Sequence, residues 1–317
     1  METNTKVDVS CIIINYNTSQ FTFNAVKSIL ESHNENSLTF EVIVVDNNSK
    51  PEDYKTLKKQ LNTLNSQLIT LVRSKFNTGF GGGNMLGVQH AKNCKYYAFI
   101  NNDTLQVTPN CLVVLKKFME STPDAAICSP QMLDEHKNFR ATIDHFSSLQ
   151  REILKRATLE FLFPKTYLNR KKTYKNPIKV QYVQGSFMFI NAKYFNTVGG
   201  FDTNLFLYYE ESDLSLRLLK TLKKYNYLVP QTEYIHYKSA SINRNIAIKI
   251  EQKIALLYHT EKHYGWLSKK ILNSYFIVRY FLTSIIKPKY WKLWLTLLAG
   301  APISKSLKHK QKINFID

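Results

Sequence analysis

The chain has 317 residues, 44% of them hydrophobic and 21% charged, with 10 Gly and 9 Pro. That composition fits a globular protein with ample chain for a buried core and excludes collagen-like or wholly disordered organisation. Lys and Arg number 43 against 24 Asp and Glu, a formal charge of +19, which points to an anionic partner: nucleic acid, a membrane surface or a phosphorylated substrate.

Val9–Ile14 is a short β-branched apolar run, as expected of a strand covered on both faces. Thr18 is placed to cap a helix whose Phe21, Ala25 and Ile29 share one face. A second strand over Phe40–Val45, a helix over Glu52–Leu64, a third strand over Leu68–Val72, a helix after Gly83 and a fourth strand over Tyr96–Ile100 continue the alternation. Repeating βα units predict an α/β fold with a mainly parallel sheet and helices on both faces, its ligands beyond the carboxyl ends of the strands. Further on, the pattern predicts a helix over Cys111–Met119, a short strand near Ala126, a buried strand over Ser186–Ile190, a helix over Leu214–Leu222, short strands at Leu228 and Tyr234–His236, and helix from Ile246 onward. Arg151–Lys179, with nine basic and two acidic residues, reads as an insertion or mobile loop.

The four cysteines, Cys11, Cys94, Cys111 and Cys128, form no CxxC pair and read as buried reduced thiols. Met1–Ser10 carries acidic residues, unlike a secretory signal. Lys or Arg interrupts every apolar stretch well before about 18 residues, so no bilayer span is expected and the reading is intracellular. Between Lys262 and Ile316 stand eleven Lys or Arg and no Asp or Glu, interleaved with Trp266, Tyr275, Phe276, Tyr280, Phe281, Tyr290, Trp291 and Trp294. This spacing suits helices lying in an anionic membrane interface, or a basic helical subdomain packed on the core. No nucleic-acid-binding motif accompanies the charge, so nucleic acid is not the expected partner.

Polar clusters follow the strands. Asp46-Asn47-Asn48-Ser49 ends the second and suits either hydrogen bonding to a nucleoside or a turn before Pro51. Asn77-Thr78-Gly79-Phe80-Gly81-Gly82-Gly83-Asn84 follows the third, where glycines let backbone N–H groups approach phosphate. The loop after the first strand has no glycine and no GK[ST] occurs, which disfavours a dehydrogenase or a P-loop NTPase. Asn101-Asn102-Asp103 puts a carboxylate at a strand end, where it can hold Mg²⁺ or Mn²⁺ or begin a turn. Tyr208-Tyr209-Glu210-Glu211-Ser212-Asp213 crowds three carboxylates before a helix, either as dipole partners or as a general base with a raised pKa. His236 is a metal ligand or a satisfied core histidine.

Together these clusters, with Ile12-Ile13-Ile14-Asn15-Tyr16-Asn17, Val198-Gly199-Gly200-Phe201-Asp202 and His236-Tyr237-Lys238-Ser239-Ala240-Ser241, resemble the inverting family 2 glycosyltransferases of bacteria, in particular their rhamnosyltransferase-like branch, over about residues 7–265. The resemblance implies a GT-A fold: a catalytic domain at 1–240, with a nucleotide-sugar half at about 1–103 and an acceptor half at 104–240 containing the basic insertion 151–179, and a helical C-terminal region at 241–317. It implies that Asn15, Asn17, Asp46 and Asn48 lie at the nucleoside pocket. Asn77, Gly79, Gly81, Gly82 and Asn84 would lie near the ribose and phosphates, with Asn101 and Asn102 beside the metal. Asp103 matches the last acidic residue of the family's DxD-type motif, whose first position is Asn101 here, and His236 matches the histidine that completes the Mg²⁺ or Mn²⁺ site. Glu211 stands where the family has its catalytic Asp, with Glu210 and Asp213 as alternative bases. The implied activity is transfer of a sugar from a nucleotide-diphosphate donor, dTDP-L-rhamnose first and a UDP-hexose or UDP-N-acetylhexosamine second, to a surface glycan or lipid-linked acceptor. The implied place is the inner face of the cell membrane, contacted through about 262–312. A nucleotidyltransferase and a non-catalytic membrane-binding protein with a degenerate site are the rival readings.

Overall fold

The computed structural model describes residues 6–33, 38–237 and 245–313. Lys238–Ser241 of the last motif block lie outside them. Every predicted βα unit of the first hundred residues is present: β1 (Val7–Asn15), α1 (Ser19–Ser32), β2 (Phe40–Asp46), α2 (Pro51–Thr63), β3 (Ile69–Arg73), α3 (Gly79–His90) and β4 (Cys94–Ile100). Then come β5 (Thr104–Gln106), α4 (Cys111–Ser121), β6 (Ala125–Leu133), β7 (Ile143–Asp144), α5 (Leu149–Leu154), α6 (Arg156–Leu162), β8 (Ile178–Val180), β9 (Tyr182–Val183), β10 (Phe187–Asn191) and α7 (Ala192–Thr197). α8 (Glu210–Arg217) runs into a π-helical turn over Leu218–Leu222, followed by β11 (Tyr225–His236), α9 (Ile246–Ile286) and α10 (Trp291–Leu298).

The main sheet runs β3-β2-β1-β4-β10-β6-β11-β5, with β8 also paired to β11. Its first four strands are parallel; β10 enters antiparallel between β4 and β6, and β6 and β11 are again parallel to each other. Burial is continuous along β2 and β6, as strands with helices on both faces require. One face packs Ala25, Ile29, Leu57 and Leu112 against Val9, Val42 and Phe189. The other gathers Ile12, Phe99, Phe195, Phe201 and Leu214, where Phe99, Phe195 and Phe201 meet with ring centroids 4.9–5.4 Å apart. A third cluster joins the C-terminal helices through Leu256, Leu272, Phe276, Leu293 and Leu297.

Several local expectations are corrected. The buried side of α1 is Thr22, Ala25, Val26 and Ile29, and Phe21 is only half-buried. Thr18 stands at the N-cap of α1 as expected, but its hydroxyl makes no capping hydrogen bond; the Ser19 N–H donates instead to Asp53 Oδ1 at 3.0 Å, a carboxylate brought by α2. α3 begins at Gly79, five residues before the expected start, so the glycines are its first turn. The two short strands at Leu228 and Tyr234–His236 are one strand, β11, whose register shifts between Val229 and Glu233. The basic stretch is folded rather than a loop: it contains α5, α6 and β8, and Arg151, Arg156 and Arg170 all converge on Asp144 within 3.6 Å. All four cysteines are free thiols; Cys11, Cys111 and Cys128 are buried and Cys94 half-buried.

α3 lies so close to its neighbours that side chains are excluded from its inner face. A Cβ on Gly87 would stand 2.4 Å from Ile12 Cγ2, and one on Gly83 2.9 Å from Ile14 Cδ1. Gly79 has φ +74, and a Cβ there would fall 2.1 Å from the Phe206 carbonyl oxygen. Gly79→Ala therefore combines backbone strain with overpacking, and urea unfolding should show a loss of about 2–4 kcal/mol.

Candidate active site

A cleft of about 380 Å³ opens beyond the carboxyl ends of β1, β2 and β4, where a doubly wound sheet binds ligands. Ile14, Tyr16, Asn47, Asn77, Phe80 and Asn84 line one part of it, and Ile100, Asn101, Asn102, Phe206 and Leu207 another. Parallel strand ends leave polar groups to satisfy, and the Asn and Asp clusters answer them.

Asn15 is fully buried. Its Nδ2 lies within donating distance of Asp46 Oδ1 (2.9 Å), Ser49 Oγ (3.0 Å) and Asp53 Oδ2 (2.9 Å), and its Oδ1 accepts from the Thr22 hydroxyl at 2.7 Å. Asp46 is equally buried, with Arg73 Nε 3.4 Å from its Oδ2; burial pushes its carboxyl above the usual range although Ser49, Asn15 and Arg73 oppose the shift. Asn15 and Asp46, expected in the nucleoside pocket, thus form the polar floor beneath it, because every polar atom of these two side chains is already taken up by the protein. Asn17 and Asn48 have φ of +56 and +67, a conformation Asn tolerates better than most residues. Asn17 Oδ1 accepts from the Lys50 N–H at 2.8 Å, which joins the two loops.

The residue that organises the cleft is Asn47, quoted above only as part of its cluster. Its Oδ1 accepts from the Thr78 N–H (3.0 Å) and hydroxyl (2.9 Å), while its Nδ2 donates to Asn77 Oδ1 (3.0 Å) and the Gly79 carbonyl (3.1 Å). Asn77 Oδ1 also accepts from the Gly79 N–H at 2.8 Å, so two asparagines hold the first turn of α3. Gly79 and Asn84 line the cleft; Gly81 packs towards Phe201, and Gly82 sits against Thr78. Asn102 faces the cleft while its Nδ2 donates to the Thr18 and Thr22 hydroxyls at 2.6 and 2.9 Å.

Asp103 and His236, far apart in sequence, meet at 3.1 Å (Oδ1 to Nε2) because β5 pairs with the end of β11. His236 Nδ1 is buried without a hydrogen-bond partner among the described residues. A carboxylate beside an imidazole with an orphaned nitrogen fits a divalent cation. Among the described residues no group of three or more His, Cys, Asp or Glu side chains could hold a metal, so this pair would need further ligands from a diphosphate.

The three crowded carboxylates have separate fates. Tyr208 and Tyr209 precede them with φ of +78 and +72, two successive non-glycine residues in the left-handed region, a form of strain that clusters at functional sites. Glu210 is buried, its Oε1 has no hydrogen-bond partner among the described residues, and burial with Glu211 beside it pushes its pKa well up. Glu211 is half-buried beside the cleft wall: a Cβ on Gly185 would stand 3.3 Å from Phe80 Cζ and 3.9 Å from Glu211 Cδ. Burial raises its pKa to about 7, with Asp144 adding to the shift and the N–H groups of Glu211 and Gly185 opposing it. Burial, more than crowding, is the cause. Asp213 is fully buried and ion-paired: its Oδ1 meets Lys262 (2.6 Å) and His263 (2.8 Å), and its Oδ2 meets Arg217 (2.7 Å). The His263 hydrogen bond and the Arg217 and Lys262 charges outweigh burial and hold its pKa well below the usual carboxylate range. Arg217 in turn donates to the Val198 and Gly200 carbonyls, each at 2.6 Å, which fixes the Val198–Phe201 turn.

A mainly parallel sheet with helices on both faces and a cleft beyond its strand ends is the architecture of a GT-A fold. The family profile described as Glycosyl transferase family 2 matches residues 10–199, and the chain belongs to that family. It is 26% identical over 257 residues to rhamnosyltransferase WbbL of Escherichia coli (strain K12), a match covering 78% of this chain and 90% of that protein. It is 34% identical over 91 residues to N-acetylglucosaminyl-diphospho-decaprenol L-rhamnosyltransferase of Mycobacterium tuberculosis (strain CDC 1551 / Oshkosh), covering 27% of this chain and 29% of the relative. Among solved structures it shares its fold with the mannosyltransferase PcManGT from Pyrobaculum calidifontis in complex with GDP-Man and Mn2+. There the TM-score is 0.56 at 13% identity, over 95% of this chain and 87% of that one. It also shares it with GalNAc-T7 with UDP, GalNAc and Mn2+, at a TM-score of 0.58 and 15% identity over 80% and 48% of the two chains. The protein is a glycosyltransferase.

Removing the Asp213 charge leaves Arg217 and Lys262 without their shared counter-ion and His263 without its carboxylate partner. Asp213→Asn should lose about 3–5 kcal/mol in urea unfolding at pH 7. Because the folded-state pKa is depressed, this contribution is present above the ordinary carboxylate pKa of about 4 and fades as pH falls below it. The gap between wild type and variant should narrow at pH 3.

Proposed function

We propose that this protein is an inverting glycosyltransferase that moves L-rhamnose from dTDP-L-rhamnose to a hydroxyl of a cell-surface glycan or lipid-linked oligosaccharide. The carrying observation is Glu211, a half-buried carboxylate with pKa raised to about 7 that stands, with Phe80 of the cleft wall, within 4 Å of the point a Cβ on Gly185 would occupy. Glu211 removes the proton from the acceptor hydroxyl as that oxygen attacks the anomeric carbon from the face opposite the nucleoside diphosphate. The new glycosidic bond forms, the bond to the diphosphate breaks, and the proton stays on Glu211. Burial pushes the Glu210 carboxyl well above the usual range, and Asp213 is ion-paired with Arg217 and Lys262 and hydrogen-bonded to His263, so neither is the base in this reading. Asp103 and His236 would hold Mg²⁺ or Mn²⁺, which when bound neutralises charge on a departing diphosphate.

Dependence on dTDP-rhamnose is supported by the similarity to rhamnosyltransferases; a UDP-hexose or UDP-N-acetylhexosamine is the alternative donor. Membrane contact is supported by the C-terminal helices. No helix among the described residues is long and apolar enough to cross a membrane. Val278, Leu282, Ile285 and Ile286 of α9 and Leu295 and Leu298 of α10 are nevertheless exposed, near Lys287, Lys289 and Lys292. An apolar face bordered by lysines suits the surface of an anionic leaflet, and this reading places the enzyme at the inner face of the cell membrane.

Donor hydrolysis across dTDP and UDP sugars, with Mn²⁺ and then with chelator, tests the reading. One donor should release nucleoside diphosphate, and the release should vanish with chelator and in Asp103→Ala. Glu211→Gln should lower turnover at least ~100-fold. Since the base works deprotonated, wild-type turnover should fall as pH drops through about 7 and level off above it. Rates of Glu211→Gln equal to wild type would remove Glu211 from this role. Leu282→Glu with Ile286→Glu should reduce sedimentation with phosphatidylglycerol vesicles ~10-fold or more while leaving donor hydrolysis intact.

A further inference from the structure

The cleft has a contributor from the far end of the chain. Besides the strand-end loops, its lining includes Asn245 and Ile248 at the start of α9, and Leu307 and Gln311, which follow α10. The segment carrying Leu307 and Gln311 is fastened at three points. Ser306, almost completely buried, donates through its hydroxyl to Glu251 Oε1 at 2.8 Å, and the Leu307 N–H donates to Glu251 Oε2 at 2.7 Å. Lys308 Nζ donates to the Thr203 carbonyl at 2.6 Å, in the loop that leads to Phe206. The Lys312 carbonyl accepts from Asn48 Nδ2 at 3.1 Å, beyond the end of β2. The segment therefore crosses the mouth of the cleft from the Phe206 side to the nucleoside side. Gln311 Nε2 donates to the Leu307 carbonyl at 2.8 Å, which ties the two cleft-facing residues to each other.

We propose that Ser306–Lys312 is a wall of the nucleotide-sugar cleft, in which Leu307 and Gln311 contact the donor's nucleoside and Glu251 is the positioning residue that holds them there. This rests on the donor-cleft reading above and adds a specificity element to it. Leu307 and Ile248 present apolar surface beside Tyr16, which suits a base ring. Gln311 brings an amide near those of Asn47 and Asn77, able to donate to and accept from a base edge. Lys308, Lys310 and Lys312 make the segment itself strongly basic, which suits an anionic ligand nearby. Glu251 is 2% exposed, and a buried carboxylate with two donors from one segment is a latch that acts on that segment alone.

The experiment is calorimetric binding of UDP and dTDP, each with Mn²⁺, to the full chain and to Gln311→Ala, Leu307→Ala, Glu251→Ala and Glu251→Gln, with thermal melts alongside. Gln311→Ala and Leu307→Ala should each weaken the nucleotide that wild type prefers by ~5–20-fold, raise the donor KM in proportion and leave kcat within about twofold. Glu251→Ala should do the same, and Glu251→Gln, which keeps an acceptor, should restore most of the affinity. Wild-type affinity in both Gln311→Ala and Leu307→Ala would overturn the proposal, and these half-buried positions decide it even if Glu251→Ala fails to fold. Failure of the unmodified chain to bind either nucleotide would instead overturn the donor reading on which it rests.

Discussion

The close approach of α3 to β1 is the constraint on which the site depends. α3 carries five glycines in twelve residues, each costing a helix about 1 kcal/mol relative to alanine. Such a helix does not stand on propensity; it stands on contact. Gly83 and Gly87 let Ile14 and Ile12 of the central strand press against its backbone, and Gly79 lets the Phe206 carbonyl reach its first turn. In consequence Asn77, Phe80 and Asn84 face the cleft, and Phe80 and Glu211 both come up against Gly185. A larger residue on the inner face would move the helix and with it both halves of the site.

Beneath the cleft lies a layer of satisfied polar groups. Asn15, Asp46, Ser49, Asp53 and Thr22 take up one another's donors and acceptors, and Asn102 joins the end of β4 to α1 through Thr18 and Thr22. Buried polar groups are costly unless paired, and a fully paired network fixes one arrangement of its members. The same physics separates the three carboxylates in the first turn of α8. Neighbours in sequence, they differ in partners: none among the described residues for Glu210 Oε1, two backbone N–H groups for Glu211, and Arg217, Lys262 and His263 for Asp213. Their chemistry follows the partners and not the spacing.

Much of this was legible in the residues. The βα alternation, the strands' apolar runs and the polar clusters at their ends report local periodicity, which a sequence states directly. What misled was also local. The glycine run reads as a loop by propensity yet is helix, because packing against β1 and Phe206 outweighs the backbone cost. The basic stretch reads as a mobile insertion, but Asp144 gathers three of its arginines and folds it. Asn15 and Asp46 have the residue types of a nucleoside contact, and only burial shows that they support the pocket from below.

The sequence alone determined the succession of strands and helices over the first hundred residues and the places where polar residues interrupt apolar strands, since both are written in the period of side chains along one segment. Tertiary structure decided which of those residues meet. Asp103 finds His236 because β5 pairs with β11, Asp213 is neutralised by residues of α9, and Leu307 and Gln311 reach the cleft because Glu251 holds their segment. Each of these contacts joins positions separated by a long stretch of chain, and spacing carries no signal for a meeting that only the packed sheet and helices create.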